Sequence, residues 1–194
     1  MKKFFLAFML LGLTRKTNAQ VLFGVRAGVN FTSSNANYPG LAGLSASERQ
    51  ATRFHSGVFA EIPVIKRFFV QPEILVNQYG GKQGDMNDRL TMLTIASLFK
   101  VKFSSFGFYA GPQYDYLLSA QYSIGNNYVN SDLLSKGLFS GSVGAEYYVR
   151  ENLSLGVRYQ KTFSNGYGYR GPGQYYLDHN AISLSAAYIF GRRD

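Results

Sequence analysis

The 194-residue chain carries 20 lysines and arginines against 11 acids, is 16% aromatic, and contains neither cysteine nor tryptophan. Without cysteine there is no disulfide framework and no thiolate metal site, and the length suits a single domain. Four bases (Lys2, Lys3, Arg15 and Lys16) fall in the first 19 residues, leaving 16 against 11, a balance of +5. These bases are scattered rather than gathered on one face, which excludes the usual nucleic-acid reader and fits attraction to anionic lipid headgroups.

The N-terminus reads as a secretory signal: Lys2 and Lys3, an apolar stretch over residues 4–13, then Thr17-Asn18-Ala19 before Gln20. Cleavage is expected after Ala19, although Arg15 and Lys16 stand unusually close to it. No cysteine comes next, so a lipoprotein is excluded. Residues 1–19 are thus a removable signal and residues 20–194 one domain without a linker. Beyond the signal no apolar run approaches the roughly 18 residues of a spanning helix.

From residue 23 onward the chain alternates with period two, the signature of strands with two distinct faces. In the first, Phe23, Val25, Ala27, Val29 and Phe31 oppose Gly24, Arg26, Gly28 and Asn30. In the second, Phe54, Ser56, Val58, Ala60 and Ile62 oppose His55, Gly57, Phe59 and Glu61, and residues 63–67 form a tight turn. The third, about residues 68–77, sets Val70, Pro72, Ile74 and Val76 against Gln71, Glu73, Leu75 and Asn77. The fourth, about residues 90–102, sets Leu93, Ile95, Phe99 and Val101 against Thr94, Ala96, Lys100 and Lys102, with Leu98 falling on the polar side. The fifth sets Phe108, Ala110, Pro112, Tyr114, Tyr116 and Leu118 against Gly107, Tyr109, Gly111, Gln113 and Asp115. The sixth, about residues 137–148, opposes Phe139, Val143, Ala145 and Tyr147 to Ser140, Ser142, Gly144 and Glu146. The last two oppose Leu153, Leu155, Val157 and Tyr159 to Ser154, Gly156, Arg158 and Gln160, then Ile182, Leu184, Ala186, Tyr188 and Phe190 to Ser183, Ser185 and Ala187.

Long connections (residues 32–52, 78–89, 119–136 and 161–179) alternate with three short ones. An even strand count, an apolar outer face and this alternation predict an all-β fold, an eight-stranded antiparallel up-and-down transmembrane β-barrel in the bacterial outer membrane. The short turns and both termini then lie in the periplasm. Pro72 and Pro112 each remove a ladder donor within a strand, so bulges or weakened pairing are expected there.

The chain resembles the PorT-like outer-membrane β-barrel proteins of Gram-negative bacteria over about residues 20–190. The resemblance is carried by Gly24-Val25-Arg26-Ala27-Gly28-Val29-Asn30, Phe54-His55-Ser56-Gly57-Val58-Phe59-Ala60-Glu61, Gln71-Pro72-Glu73-Ile74-Leu75, Tyr109-Ala110-Gly111-Pro112 and the closing strand to Phe190. It implies a small barrel and assigns no cargo. Thr94-Ile95-Ala96 stands where that family tends to carry Glu-Ile-Pro, and Gly191-Arg192-Arg193-Asp194 runs past the terminal aromatic.

Chemistry, if any, lies on the inner face or in the long connections. Arg26, Lys100 and Arg158 with Glu61, Glu73 and Glu146 form a balanced inward set. Eight strands leave just enough interior for side chains, so these groups must pair as a polar plug rather than line an ion path. His55 and His179 are read as rim residues. Asp178, His179 and a nearby serine single out no nucleophile, so no catalytic site, metal or cofactor is expected.

Residues 164–176 are rich in Tyr, Gly, Ser and Asn, and Tyr167, Tyr169, Arg170, Tyr175 and Tyr176 are the candidate recognition residues. An aromatic interface girdle is the alternative reading. Ser45 and Glu48 have capping-box spacing for a short surface helix. The expected role is non-enzymatic and structural, adhesive or partner-binding. The barrel is monomeric, with outer-membrane lipid around it and an extracellular ligand or envelope protein as partner. A narrow or transport-associated channel and a lipid-modifying enzyme are the alternatives; a soluble lipocalin-like barrel would put the apolar face inside.

Overall fold

The computed structural model describes residues 20–37, 49–83, 86–124, 127–130, 137–163 and 176–191. It contains eight long strands: β1 (Leu22–Asn37), β2 (Arg49–Ile65), β3 (Phe68–Tyr79), β4 (Met86–Phe103), β5 (Phe106–Ile124), β6 (Gly137–Arg150), β7 (Leu153–Thr162) and β8 (Tyr176–Ile189). Each pairs antiparallel with its sequence neighbours, and β8 returns to β1 in a continuous register from Gly24–Ile189 to Asn37–Tyr176. The sheet is therefore closed. Two short strands, Lys82–Gln83 and Asn127–Asn130, extend the β3–β4 and β5–β6 connections.

Closure satisfies backbone donors and acceptors around the wall without exposing a sheet edge, which a hydrocarbon surround demands. The period-two faces separate as the sequence implies. Phe23, Phe54, Val58, Ile74, Phe99, Val143, Leu155 and Leu184 are exposed outside, while Arg26, Glu61, Glu73, Asn77, Lys100 and Arg158 are buried inside. Leu98 is fully buried with Ala96 and Tyr109, an apolar patch within a polar interior.

The strands outrun their predicted ends. The first connection shrinks from residues 32–52 to 38–48, and β4 begins at Met86 rather than near residue 90. The cause is that polar outward residues such as Ser33 and Gln50 break the apolar alternation while the backbone ladder continues. The turn placed at residues 63–67 narrows to Lys66 and Arg67, with β2 running on to Ile65 through a shifted register.

Both prolines leave the register unchanged but interrupt a ladder. Pairing of β2 with β3 passes from Phe59–Glu73 to Ile62–Val70 and skips Pro72, and pairing of β4 with β5 passes from Ala96–Gln113 to Phe99–Ala110 and skips Pro112. The register shifts lie elsewhere, at Pro63/Ile65, Thr91/Met92 and Tyr148/Arg150. Gly80, just past β3, has φ +122°, and a Cβ there would stand 2.1 Å from the Asp88 carbonyl oxygen. Only glycine turns the chain at that point.

Candidate functional site

The inner face is layered. At the short-turn end Phe59, Ala187 and Ile189 form an apolar floor with Leu22 and Tyr148 against it. At the opposite end Tyr79, Leu90, Met92, Ala120, Leu138 and Ala181 form an apolar cap. Polar and charged side chains occupy the space between, each delivered inward by strand parity.

Seven charges run through the lower half in alternating sign: Arg158, Glu73, Arg26, Glu146, Lys100, Glu61 and Lys102. Arg158 Nη2 lies 2.8 Å from Glu73 Oε2, Arg26 Nη2 lies 3.4 Å from Glu73 Oε1, and Lys100 Nζ lies 2.8 Å from Glu61 Oε1. Ion pairs Arg26–Glu146, Lys100–Glu146 and Lys102–Glu61 complete the chain. Six strands contribute. A buried charge is tolerable only when paired and hydrogen-bonded, and alternation gives every member except the two ends an opposite charge on both sides.

Neutral groups add further hydrogen bonds to the chain. Gln71 donates to Glu73 at 2.6 Å and accepts from Lys100 at 2.9 Å, and Tyr148 donates its hydroxyl hydrogen to Glu146 at 3.2 Å. Tyr109 accepts from Arg158 Nε at 3.2 Å, and its ring sits 4.9 Å from that guanidinium. Gly144 makes room for it, because a Cβ there would lie 2.5 Å from the tyrosine ring and hydroxyl.

Above this chain runs an uncharged relay ending at one carboxylate. Ser183 donates to Asn30 at 2.7 Å, Asn30 to Asn77 at 3.3 Å, and Asn77 to Thr94 at 2.7 Å. Thr94 donates to Asp115, which also accepts from Ser140 at 2.6 Å and Gln113 at 3.2 Å. The relay joins β8, β1, β3, β4, β5 and β6 across the lumen.

The structure brings all six expected interior charges into one chain and adds Lys102 as a seventh. Parity places Lys102 inside, but counting charges in balanced pairs leaves it out. The neutral relay has no signal in the sequence beyond that same parity. His55 departs from expectation: it is 6% exposed, on the inner face opposite Gly28 and Asn77, so it is an interior and not a rim residue. Asp178 and His179 pair with Asn35 and Ser34 in the β1–β8 ladder. Among the described residues no three histidines or acids gather as a metal site. Tyr167, Tyr169, Arg170 and Tyr175, and the capping-box residues Ser45 and Glu48, lie outside the described residues; Tyr176 opens β8 opposite Asn37.

A family model, the outer membrane protein beta-barrel domain, matches residues 4–190. Among solved structures, neisserial surface protein A (NspA) superposes with a TM-score of 0.51 at 15% identity, covering 86% of this chain and 96% of its own. OprG from Pseudomonas aeruginosa gives 0.48 at 13% identity, covering 90% and 98%. The outer membrane protease OmpT from Escherichia coli gives 0.48 at 10% identity, covering 92% and 100%. No curated protein matches the sequence. At 15% identity the likeness to NspA is one of fold.

Proposed function

The chain belongs to the outer membrane β-barrel family, and on that premise we propose a non-enzymatic barrel with a closed interior, acting through its outer surface and long connections in a structural, adhesive or partner-binding role. It resides in the bacterial outer membrane among lipid. The observation carrying the reading is the filled lumen: an apolar floor, an alternating charge chain, a neutral relay and an apolar cap succeed one another across the membrane. Eight strands enclose too little space for a water path beside such side chains.

Within this reading the chain is a PorT-like barrel, monomeric, with residues 1–19 removed on export and the short turns in the periplasm. The interior charges Arg26, Glu61, Glu73, Lys100, Glu146 and Arg158 serve as structure. Recognition of an extracellular ligand or envelope protein falls to Tyr167, Tyr169, Arg170, Tyr175 and Tyr176, whose residue types give large contact area at low entropic cost.

Planar-bilayer recording of the purified barrel tests the closed interior. The expected outcome is no steady conductance. Reproducible openings from verified monomer would instead establish the narrow channel.

A further inference from the structure

The closed wall has a seam beside β2. Pairing of β2 with the β3 side stops at His55–Asn77 and resumes at Gln50–Lys82 in the same register, so residues 51–54 and 78–81 face each other unpaired. Four residues on each side are freed in this way, against two beside each proline. Inner-face side chains take over the carbonyls. Asn30 Nδ2 donates to Gln78 O at 3.2 Å, and the Thr32 hydroxyl is shared between Gly80 O and Ala51 O, the latter at 3.1 Å. Arg53 Nη2 donates to Asn87 Oδ1 at 2.7 Å and to Asp88 O at 2.8 Å. This end of the β3–β4 hairpin is thus held to β1 and β2 by three side chains and the pair Gln50–Lys82 in place of a continuous ladder.

His55 stands in the last ladder pair below the seam. Its ring is buried against β1, where a Cβ on Gly28 would lie 2.7 Å from Cε1, and its Nδ1 makes no hydrogen bond among the described residues. A concavity of 450 Å³ opens beside it among Phe54, Ser56, Val76 and Gln78, so packing is loose on the wall side too. The charges acting on the imidazole are Arg26 from β1, Glu73 from β3 and Arg158 from β7. Glu73 is already shared by the two arginines. On β2 itself Arg53 stands two residues above, β8 presents Ser183 and Ser185 inward, and Asp88 of β4 marks the upper end of the seam.

We propose that this seam is an acid-released joint: a proton taken up by His55 frees the end of the β3–β4 hairpin from β1 and β2 while the rest of the wall stays closed. An imidazolium there is a third cation around one carboxylate, and a buried charge without a partner of its own is costly. Relief is local. The stretch above His55 has no β2–β3 ladder to break, and segments with few backbone bonds open at the lowest free energy. A neutral imidazole leaves Asn30, Thr32 and Arg53 on their acceptors and the joint shut. Closure is therefore favoured while His55 is neutral and weakens as pH falls through the ordinary histidine range.

Hydrogen exchange of the purified barrel in vesicles of zwitterionic lipid, with rates corrected for the intrinsic pH dependence of amide exchange, tests the joint. Opening at residues 51–54 and 78–81 is expected to rise about tenfold from about pH 7.5 to about pH 5.5, with its onset at about pH 6.5, where a released histidine titrates. Residues 153–160 of β7 should stay constant. H55Q should abolish the rise, H179Q should keep it, and T32V should raise opening at both pH values while leaving the pH dependence in place. Constant protection in the wild type, an equal rise at residues 153–160, or a rise that survives H55Q would each overturn the proposal. Heat-modifiable migration establishes that each variant is folded. Should H55Q fail to fold, the wild-type onset and H179Q decide: an onset below about pH 4.5 assigns the response to a carboxylate, loss of the rise in H179Q assigns it to the other histidine, and either result overturns the joint.

Discussion

Replacing Glu146 with glutamine should be among the costliest single changes to this barrel, while replacing Lys102, at the end of the same chain of charges, should be milder. Glu146 accepts from Arg26, Lys100 and Tyr148, and its side chain is 1% exposed. With four bases and three acids the chain carries a formal +1. E146Q raises it to +2, leaves Arg26 only Glu73 at 3.4 Å, and leaves Lys100 only Glu61 as an opposite charge. Breaking a buried pair in this way costs about 3–5 kcal/mol. K102Q moves the sum to zero and removes a side chain that is 11% exposed while Glu61 keeps Lys100. That loss should be smaller, about 1–3 kcal/mol, because Glu61 keeps one of its two cations and the chain loses its surplus charge. Urea titration of refolding into vesicles, with the folded fraction read by heat-modifiable migration, separates the two. The double variant E146Q/K100M should cost less than the sum of its parts by about 1–3 kcal/mol. Costs for E146Q and K102Q that agree within about 1 kcal/mol would refute the alternating-chain account.

On the lipid face, Val157→Arg should destabilise by about 2–4 kcal/mol if it lies at the bilayer midplane, since Val157 is exposed between Leu184 and Ala145. Ser154→Arg, on the buried inner face, should act through crowding and disturb the floor at Ala187 and Tyr148; equal tolerance at both positions by the same titration would reverse the face assignment. Gly144→Ala should cost about 1–3 kcal/mol by overpacking, because its methyl would stand 2.6 Å from the Val157 carbonyl oxygen as well as 2.5 Å from Tyr109, and unchanged stability would show that the ring has room to move. Replacing residues 164–174 with a short Gly-Ser turn should leave folding and insertion intact while abolishing surface or partner binding; a folded variant that binds cells or envelope fractions as before would remove that connection from the recognition role.

The wall is legible in the sequence because lipid imposes a simple rule on it. Wherever hydrocarbon lies outside and packed polar groups inside, alternate residues must differ, so Phe23 to Phe31 and Leu153 to Tyr159 report their faces directly. The rule lapses where the surroundings become polar on both sides. Ser33, Gln50 and Asn180 stay in register on the outer face, yet nothing apolar marks them, and the sequence pattern ends the strands too early for that reason. Inside the barrel the same rule delivers parity but not partners. It puts Lys102 on the inner face without linking it to Glu61, and it holds no hint that Asn30, Asn77, Thr94 and Asp115 meet, because that contact is set by how four strands stagger around the closed sheet. His55 shows the limit most clearly. Its position within β2 suggests a rim, but continuation of the ladder six residues above it, to Arg49, buries it at the level of the neutral relay. A polar break in an apolar alternation, with the backbone register unbroken, is thus a sign of where the wall leaves hydrocarbon.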